Sequence, residues 1–238
     1  MARSVAVQLA PAVWRVPTAP ADLVNSFVFR EPDGSVTLVD AGVRRASRRI
    51  LAGLAAIGAQ PSDVRRVILT HAHSDHAGGA AALVEATGAD VVTHERDAAY
   101  LRDGRTPQVD TPTRKAQLLS RVFYGKKLPK VVVAEEFVDD ELLPVAGGLR
   151  VIHTPGHTPG HVSLLHEPTG VLITGDAIFN VRGLRWPPAW LCTDPTLNRK
   201  SADVLGDLEF DVAAFTHGSE VRTGAREAVR AFLRGRER

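Results

Sequence analysis

The chain has 238 residues, 44% hydrophobic and 24% charged, the balance of a globular protein with enough apolar material for a sizeable core. Its 29 basic and 27 acidic residues leave a formal charge of +2, which argues against a nucleic-acid groove or a membrane-surface protein. A single cysteine, Cys192, excludes an intrachain disulfide, no stretch approaches the ~18 apolar residues of a membrane span, and the N-terminus lacks a long apolar leader, so the expectation is a cytoplasmic protein with neither nucleic-acid nor membrane partner.

No linker, repeat or low-complexity run divides the chain, which reads as a single domain over residues 1–238. The stretch "VAVQLAPAVWRV" (5–16) alternates in part as a strand does. "NSFVFREPDGSVTLVDAG" (25–42) reads as a hairpin around Pro32-Asp33-Gly34. A helix is predicted over 43–57, closed by Gly58, with the basic run "RRASRR" (44–49) as its solvated face. "VRRVILT" (64–70) is a strand ending at "HAHSDHAGG" (71–79). A helix over 78–89, the strand "DVVTH" (90–94) and the short helix "RDAAYL" (96–101) follow. Residues 103–130 predict a helix around 114–123 between Pro- and Gly-marked loops, and are expected to form a lid or subunit contact with Phe123 and Tyr124. The basic "GKKLPK" (125–130) closes that segment as a solvated loop. Strand signals return at 130–138, 149–154, 161–167 and 171–176. After a Trp/Pro-rich loop (182–195), a helix starts at Asp194-Pro195, where Asp caps and Pro suits the first turn. A strand ending at His217 and a closing helix (225–234) complete the chain. Helices outside two sheets, with a site at the strand ends, fit this order.

Three of the nine histidines and an acid crowd into residues 71–76. His71 and His73 are two apart, so in extended backbone both imidazoles point the same way and reach one ion. Asp75 and His76 are adjacent and suit a second ion beside it. His157 lies between Pro-Gly-type turns, and Asp176 and His217 each follow an apolar strand beside glycine. A lone histidine at a strand end is commonly structural. Four separate strand ends carrying His or Asp beside Gly form a pattern.

The series His71-x-His73-x-Asp75-His76, His157, Asp176, His217, with Asp40 in "TLVDAG", resembles the metallo-β-lactamase superfamily in motif and order. That resemblance implies an α/β fold, an αββα four-layer sandwich of two mixed β-sheets flanked by helices. It implies two divalent ions at one edge: His71, His73 and His157 on the first, Asp75, His76 and His217 on the second, and Asp176 bridging. Asp40 supports the site without ligating. Imidazole and carboxylate ligands suit Zn²⁺, the expected ion, and also Mn²⁺ or Fe. The implied chemistry is hydrolysis by a hydroxide held between the ions, with Asp75 steering it or carrying a proton to the leaving group.

Within the superfamily, true β-lactamases generally lack the bridging Asp, and nuclease and flavin-linked branches carry added domains that this chain does not show. Acyl-homoserine lactonases share the "HxHxDHAGG" and "TPGHTPGH" patterns, but many carry a Tyr where this chain has Phe179. Glyoxalase II thioesterases usually extend further beyond the last histidine. The resulting expectation is a dinuclear hydrolase of a small-molecule ester, lactone or thioester, monomeric or homodimeric, with the two named enzyme types as narrower alternatives. A metal-binding scaffold or sensor without catalysis is the alternative of another class. Phe179, Trp186 and Trp190 are expected to wall a substrate pocket. His161 is expected to orient metal ligands. His94 reads as a surface or core residue, His166 as a strand-surface residue, and Cys192 as a small packing residue.

Overall fold

The computed structural model describes residues 4–107 and 127–235. The helix expected around 114–123 and the contact expected of Phe123 and Tyr124 lie outside them. Seven strands form the first sheet in sequential order: β1 (Val7–Ala10), β2 (Val13–Pro17), β3 (Asn25–Arg30), β4 (Val36–Val39), β5 (Val64–Leu69), β6 (Asp90–His94) and β7 (Val133–Phe137). The first four pair antiparallel and the last four parallel. Continuing the chain, β8 (Leu142–Leu143), β9 (Leu149–His153), β10 (Val162–His166), β11 (Val171–Ile173) and β14 (Val212–Ala214) form the second sheet in the order β14-β11-β10-β9-β8. Only its β11–β14 pair is parallel. A short hairpin, β12 (Phe179–Asn180) with β13 (Leu184–Arg185), stands apart.

Alternation along the strands sorts side chains into separate apolar layers. Phe27, Phe29, Val39 and Ile68 of the first sheet meet Leu149, Val151, Leu164 and Ile173 of the second in a central layer. The intervening residues Val28, Leu38, Val67 and Leu69 face outward onto α1 (Ser47–Ala56), α2 (Ala80–Thr87) and α3 (Glu95–Asp103), through Ile50, Leu54, Leu83 and Leu101. On the far side, Ile152, Leu165, Leu172 and Phe215 pack under Leu205 and α5 (Ala225–Arg234). Ala225, Val229 and Leu233 of α5 recur every four residues and are buried, the stripe of a helix lying on a sheet. Helix, sheet, sheet, helix is the four-layer sandwich expected of the sequence. The remaining helix, α4 (Pro195–Ser201), starts as predicted, with the Asp194 carboxylate accepting from the Thr196 and Leu197 amides at 2.9 and 2.8 Å. No helix among the described residues is long and apolar enough to cross a membrane.

Two local expectations are corrected. The run 5–16 is a hairpin and not one strand: Ala12 takes φ 60° after Pro11, and β2 folds back on β1. The helix expected over 43–57 begins at Ser47, after a turn in which the Ala46 amide donates to the Val43 carbonyl at 2.7 Å. The Ala41 amide donates to the His76 carbonyl at 2.7 Å, and the Gly79 amide to the Gly42 carbonyl at 3.0 Å. These bonds seat the β4 exit against the histidine stretch.

Phe27 is fully buried between the sheets. Phe27→Ala is therefore expected to lower unfolding free energy by about 3–5 kcal/mol in a denaturant titration. A loss under about 1 kcal/mol would contradict the assignment of this layer as tightly packed core.

Candidate metal centre

The strands β4, β5, β9, β11 and β14 all run out at one edge, and the residues just beyond them converge there. After β5 the chain turns tightly through 71–79. Gly78 permits the turn, since a Cβ on it would lie 2.1 Å from the Ser74 carbonyl oxygen. His71, His73, His76, His157 and Asp176 are buried. The ligand-capable atoms of His71, His73 and His157 lie within 4.8 Å of one another, as do those of His71, His76 and Asp176, and those of Asp75, His76 and His217. Asp176 reaches both sides. Its Oδ2 is 3.0 Å from His157 Nε2 and 3.2 Å from His217 Nε2, and its Oδ1 is 3.3 Å from His76 Nε2. The structure thus brings together all seven residues singled out as ligands.

The outward atoms of these rings are already committed. His76 Nδ1 donates to Asp40 Oδ2 at 2.8 Å. Thr70 Oγ1 donates to the same carboxylate, and His71 Nδ1 in turn donates to Thr70 Oγ1 at 3.0 Å. His217 Nδ1 donates to the Leu23 carbonyl. His157 Nδ1 faces Cys192 Sγ at 3.5 Å, while the thiol lies 3.8 Å from the Pro188 carbonyl. With Nδ1 engaged outward, the Nε2 atoms of these rings turn inward. Two such nitrogens, on His76 and His217, stand 3.3 Å apart, and that of His157 lies 3.0 Å from Asp176 Oδ2. His73 Nδ1 and His157 Nε2 are 3.0 Å apart. His71 Nε2 and Asp75 Oδ1 are buried with no hydrogen-bond partner among the described residues. Nitrogens and oxygens packed this closely need a proton or a metal ion between them, and an imidazole–carboxylate set of this kind fits divalent metal.

The proton equilibria respond to the same demand. Burial holds His71 and His73 well below the ordinary imidazole range. Burial also opposes charge on His76 and His217, but Asp176 and Asp75 outweigh it and raise both. Burial works against the Asp176 carboxylate as well, yet the neighbouring His217, His76 and His157 hold it well below the usual carboxylate range. In the metal-free chain, protons thus stand where divalent ions would bring their charge.

A second tier of contacts fixes the ligand-bearing turns. Asp40 has φ 62°, a left-handed conformation that Asp tolerates better than most residues. From there it also accepts the Thr70 amide at 2.8 Å. His161, expected to orient ligands, accepts the Asp176 amide on Nε2 at 2.7 Å and donates Nδ1 to the Thr154 carbonyl at 2.9 Å, so it has no lone pair for an ion. Thr216 Oγ1 donates to Asp176 Oδ1 at 2.7 Å. Asn25, held by Arg15, donates to the carbonyls of Phe215 and Gly218 on either side of His217. Asp97 accepts from the Ala72 and Gly160 amides. The sequence reading missed Asn25, Asp97 and Thr216, because contacts between chain-distant residues leave no local spacing. It also took Cys192 for packing alone. Burial pushes that thiol up to about 12, so it stays protonated beside His157.

The remaining expectations divide. Phe179 stacks on His217, with centroids 4.3 Å apart, and so touches the cluster. Trp186 is corrected. Its ring packs on Phe232 of α5 at 4.7 Å, with Arg199 over it, because the 182–195 loop folds back across the outer apolar layer. Trp190 lies in the turn Ala189–Leu191 that leads to Cys192. His166 is core and not strand surface: it meets Phe29 edge to face and donates to the Ala146 carbonyl. His94, Asp139 and His153 form a further group, with the two rings stacked at 4.5 Å. His94 Nδ1 accepts the Arg96 amide, which leaves its proton on Nε2 donating to Asp139. The group is a hydrogen-bonded clasp between the sheets.

Burial above all holds His161 down at about 3. Between pH 6.5 and about 3 the unfolded chain binds a proton on this ring that the folded chain refuses, so stability falls as pH falls through that window. In chelator, the melting temperature of the wild type is expected to drop more steeply from pH 6.5 to about 4 than that of His161→Gln, whose amide accepts and donates without titrating. Parallel curves would show that His161 is not buried in its neutral form.

The chain matches the family model described as the metallo-beta-lactamase superfamily over residues 19–217. It is 30% identical over 240 residues to the uncharacterized protein YobT of Bacillus subtilis (strain 168), covering 94% of this chain and 97% of YobT. It is 36% identical over 184 residues to an N-acyl homoserine lactonase of a Bacillus species, covering 75% of this chain and 65% of the lactonase. Among solved structures, it resembles a metallo-beta-lactamase family protein of Thermus thermophilus with a TM-score of 0.73 at 28% identity, covering 97% of this chain and 81% of that one. The fold, the converging histidines and acids, and these likenesses together place the chain in the metallo-β-lactamase superfamily.

Proposed function

We propose that the protein is a dinuclear metal-dependent hydrolase of a small-molecule ester, lactone or thioester, with zinc as its ion. The observation that carries this reading is the convergence of imidazole nitrogens and a buried carboxylate at 3.0–3.3 Å, with His76 and His217 oriented by outward hydrogen bonds. When bound, two divalent ions would supply hydroxide at neutral pH and positive charge for a developing oxyanion. His71, His73 and His157 would hold one, Asp75, His76 and His217 the other, and Asp176 both.

The protein's own contributions follow from position. Asp75 has a side chain about a quarter exposed, and its Oδ2 lies 3.5 Å from His217 Nε2. Of the two acids in the cluster it is the one open to solvent, and it can accept a proton and pass it to a leaving group. Asp176 is enclosed and gripped by Thr216, which suits a fixed ligand rather than a proton carrier. Phe179 lines the His217 side with an apolar ring and offers no phenol, so any orientation of a substrate carbonyl falls to other groups. The protonated Cys192 makes a poor nucleophile, consistent with attack by water.

A metal scaffold without catalysis fits the structure less well. The three apolar layers hold the sheets and helices together independently of the histidine edge. The lactonase relative supports a lactone within the substrate class, and the same attack on an acyl carbon extends that class to esters and thioesters.

The test is a panel of lactones, thioesters and aryl esters offered to protein loaded with Zn²⁺, Mn²⁺ or Fe²⁺. At least one class is expected to be cleaved, with activity lost in chelator, restored on reloading, and lowered at least ~100-fold in Asp75→Asn. The far-ultraviolet circular dichroism should survive chelation. Fully loaded protein that cleaves nothing on the panel, or a chain that unfolds on chelation and never shows activity, would overturn the reading.

A further inference from the structure

Asp97 is a buried carboxylate beside the histidine edge that holds structure rather than an ion, and its contacts reach two separate loops. It lies in the first turn of α3, fully buried. Its Oδ2 accepts the Ala72 amide at 2.8 Å and the Thr158 hydroxyl at 2.7 Å, and its Oδ1 accepts the Gly160 amide at 2.7 Å. Ala72 lies between His71 and His73. Thr158 and Gly160 follow His157. One carboxylate therefore grips both stretches of chain that carry the first trio of histidines, and it does so from a helix that carries no ligand.

The chemistry of the three donors explains why the residue is an acid. Two amides and a hydroxyl approach from different sides, and only an acceptor on both oxygens receives them all. An asparagine has one oxygen, and its NH₂ would face an N–H. The approach is also close. A Cβ on Gly160 would lie 2.6 Å from the Asp97 amide nitrogen and 2.9 Å from its Oδ1, so the loop after His157 is pressed onto the start of α3. The other trio is braced differently. His76 leans on Asp40, and His217 on Leu23 and the Asn25 bonds around it.

We propose that Asp97 is a positioning residue that sets the spacing of His71 and His73 against His157, and so governs binding of one ion of the pair without governing the other. The proposal rests on the dinuclear reading above. It predicts an asymmetry that a general loosening of the fold would not produce. Removing the carboxylate frees the two loops to separate, and three imidazoles lose their common focus. Asp75, His76 and His217 keep theirs.

Zinc affinity, measured against a chromophoric chelator in two ligand-deleted backgrounds, separates these outcomes. His217→Ala retains the first trio, and His73→Ala retains the second. Adding Asp97→Asn is expected to weaken zinc binding ~10–100-fold in the His217→Ala background and to leave it unchanged in the His73→Ala background. The Co²⁺ visible spectrum should change in the first background alone. Thr158→Val removes one donor and leaves the carboxylate in place. It should shift affinity in the same direction by less, and it carries the test if Asp97→Asn does not fold. Unchanged affinity in the His217→Ala background, or equal weakening in both, overturns the role of Asp97. A wild-type chain that binds fewer than two zinc ions overturns the dinuclear reading instead, because the backgrounds are compared only where the wild type binds two.

Discussion

Imidazole nitrogens and a carboxylate crowded together at the edge of two sheets are the constraint on which the rest of this molecule depends. Imidazole nitrogens face each other at 3.0 and 3.3 Å, and one faces a carboxylate oxygen at 3.0 Å. In a buried place such an arrangement is unfavourable without positive charge between the partners. The shifts of His76 and His217 toward the protonated form, and of Asp176 toward the ionised form, are the same demand met with protons. Divalent ions meet it more completely.

That edge exists because of the layers behind it. Strand ends are placed by the packing of Phe27, Phe29 and Ile68 against Leu149, Leu164 and Ile173, which is indifferent to metal. Polar residues just past those ends then inherit fixed positions. Asp40 shows how tightly the two levels are joined. Its left-handed backbone costs roughly 1–3 kcal/mol, and from that conformation one carboxylate aligns His76 directly and His71 through Thr70. A clamp of the same logic, Asp97, joins the loops around Ala72 and Gly160. Rigid scaffold and strained outer contacts together keep the ligand atoms from relaxing apart.

Much of this was legible in the residues themselves. The spacing of His71, His73, Asp75 and His76 is local, so a short motif states it, and His157, Asp176 and His217 each carry the mark of an apolar strand ending beside glycine. Alternation exposed the strands, and Pro32-Asp33-Gly34 the hairpin, which pairs in the structure as Phe27 with Val39 and Phe29 with Thr37. What stayed hidden depends on pairs far apart in the chain. Asp97 and Gly160 are 63 residues apart, and Cys192 and His157 are 35 apart. Trp186 looked like a pocket wall because it follows Asp176 closely, but its ring packs on Phe232, far along the chain. His166 looked like surface because it is polar, but it shares a strand face with Val162 and Leu164 and lies in the central layer against Phe29.

Anomalous diffraction at the zinc absorption edge, from crystals grown with zinc, bears most directly on these crowded nitrogens and carboxylates. Two peaks per chain are expected, ~3.5–4 Å apart, one among His71, His73 and His157 and one among Asp75, His76 and His217, with Asp176 in reach of both. A single peak, or zinc bound away from these side chains while their nitrogens stay in mutual contact, would contradict the claim that this edge is built around two ions.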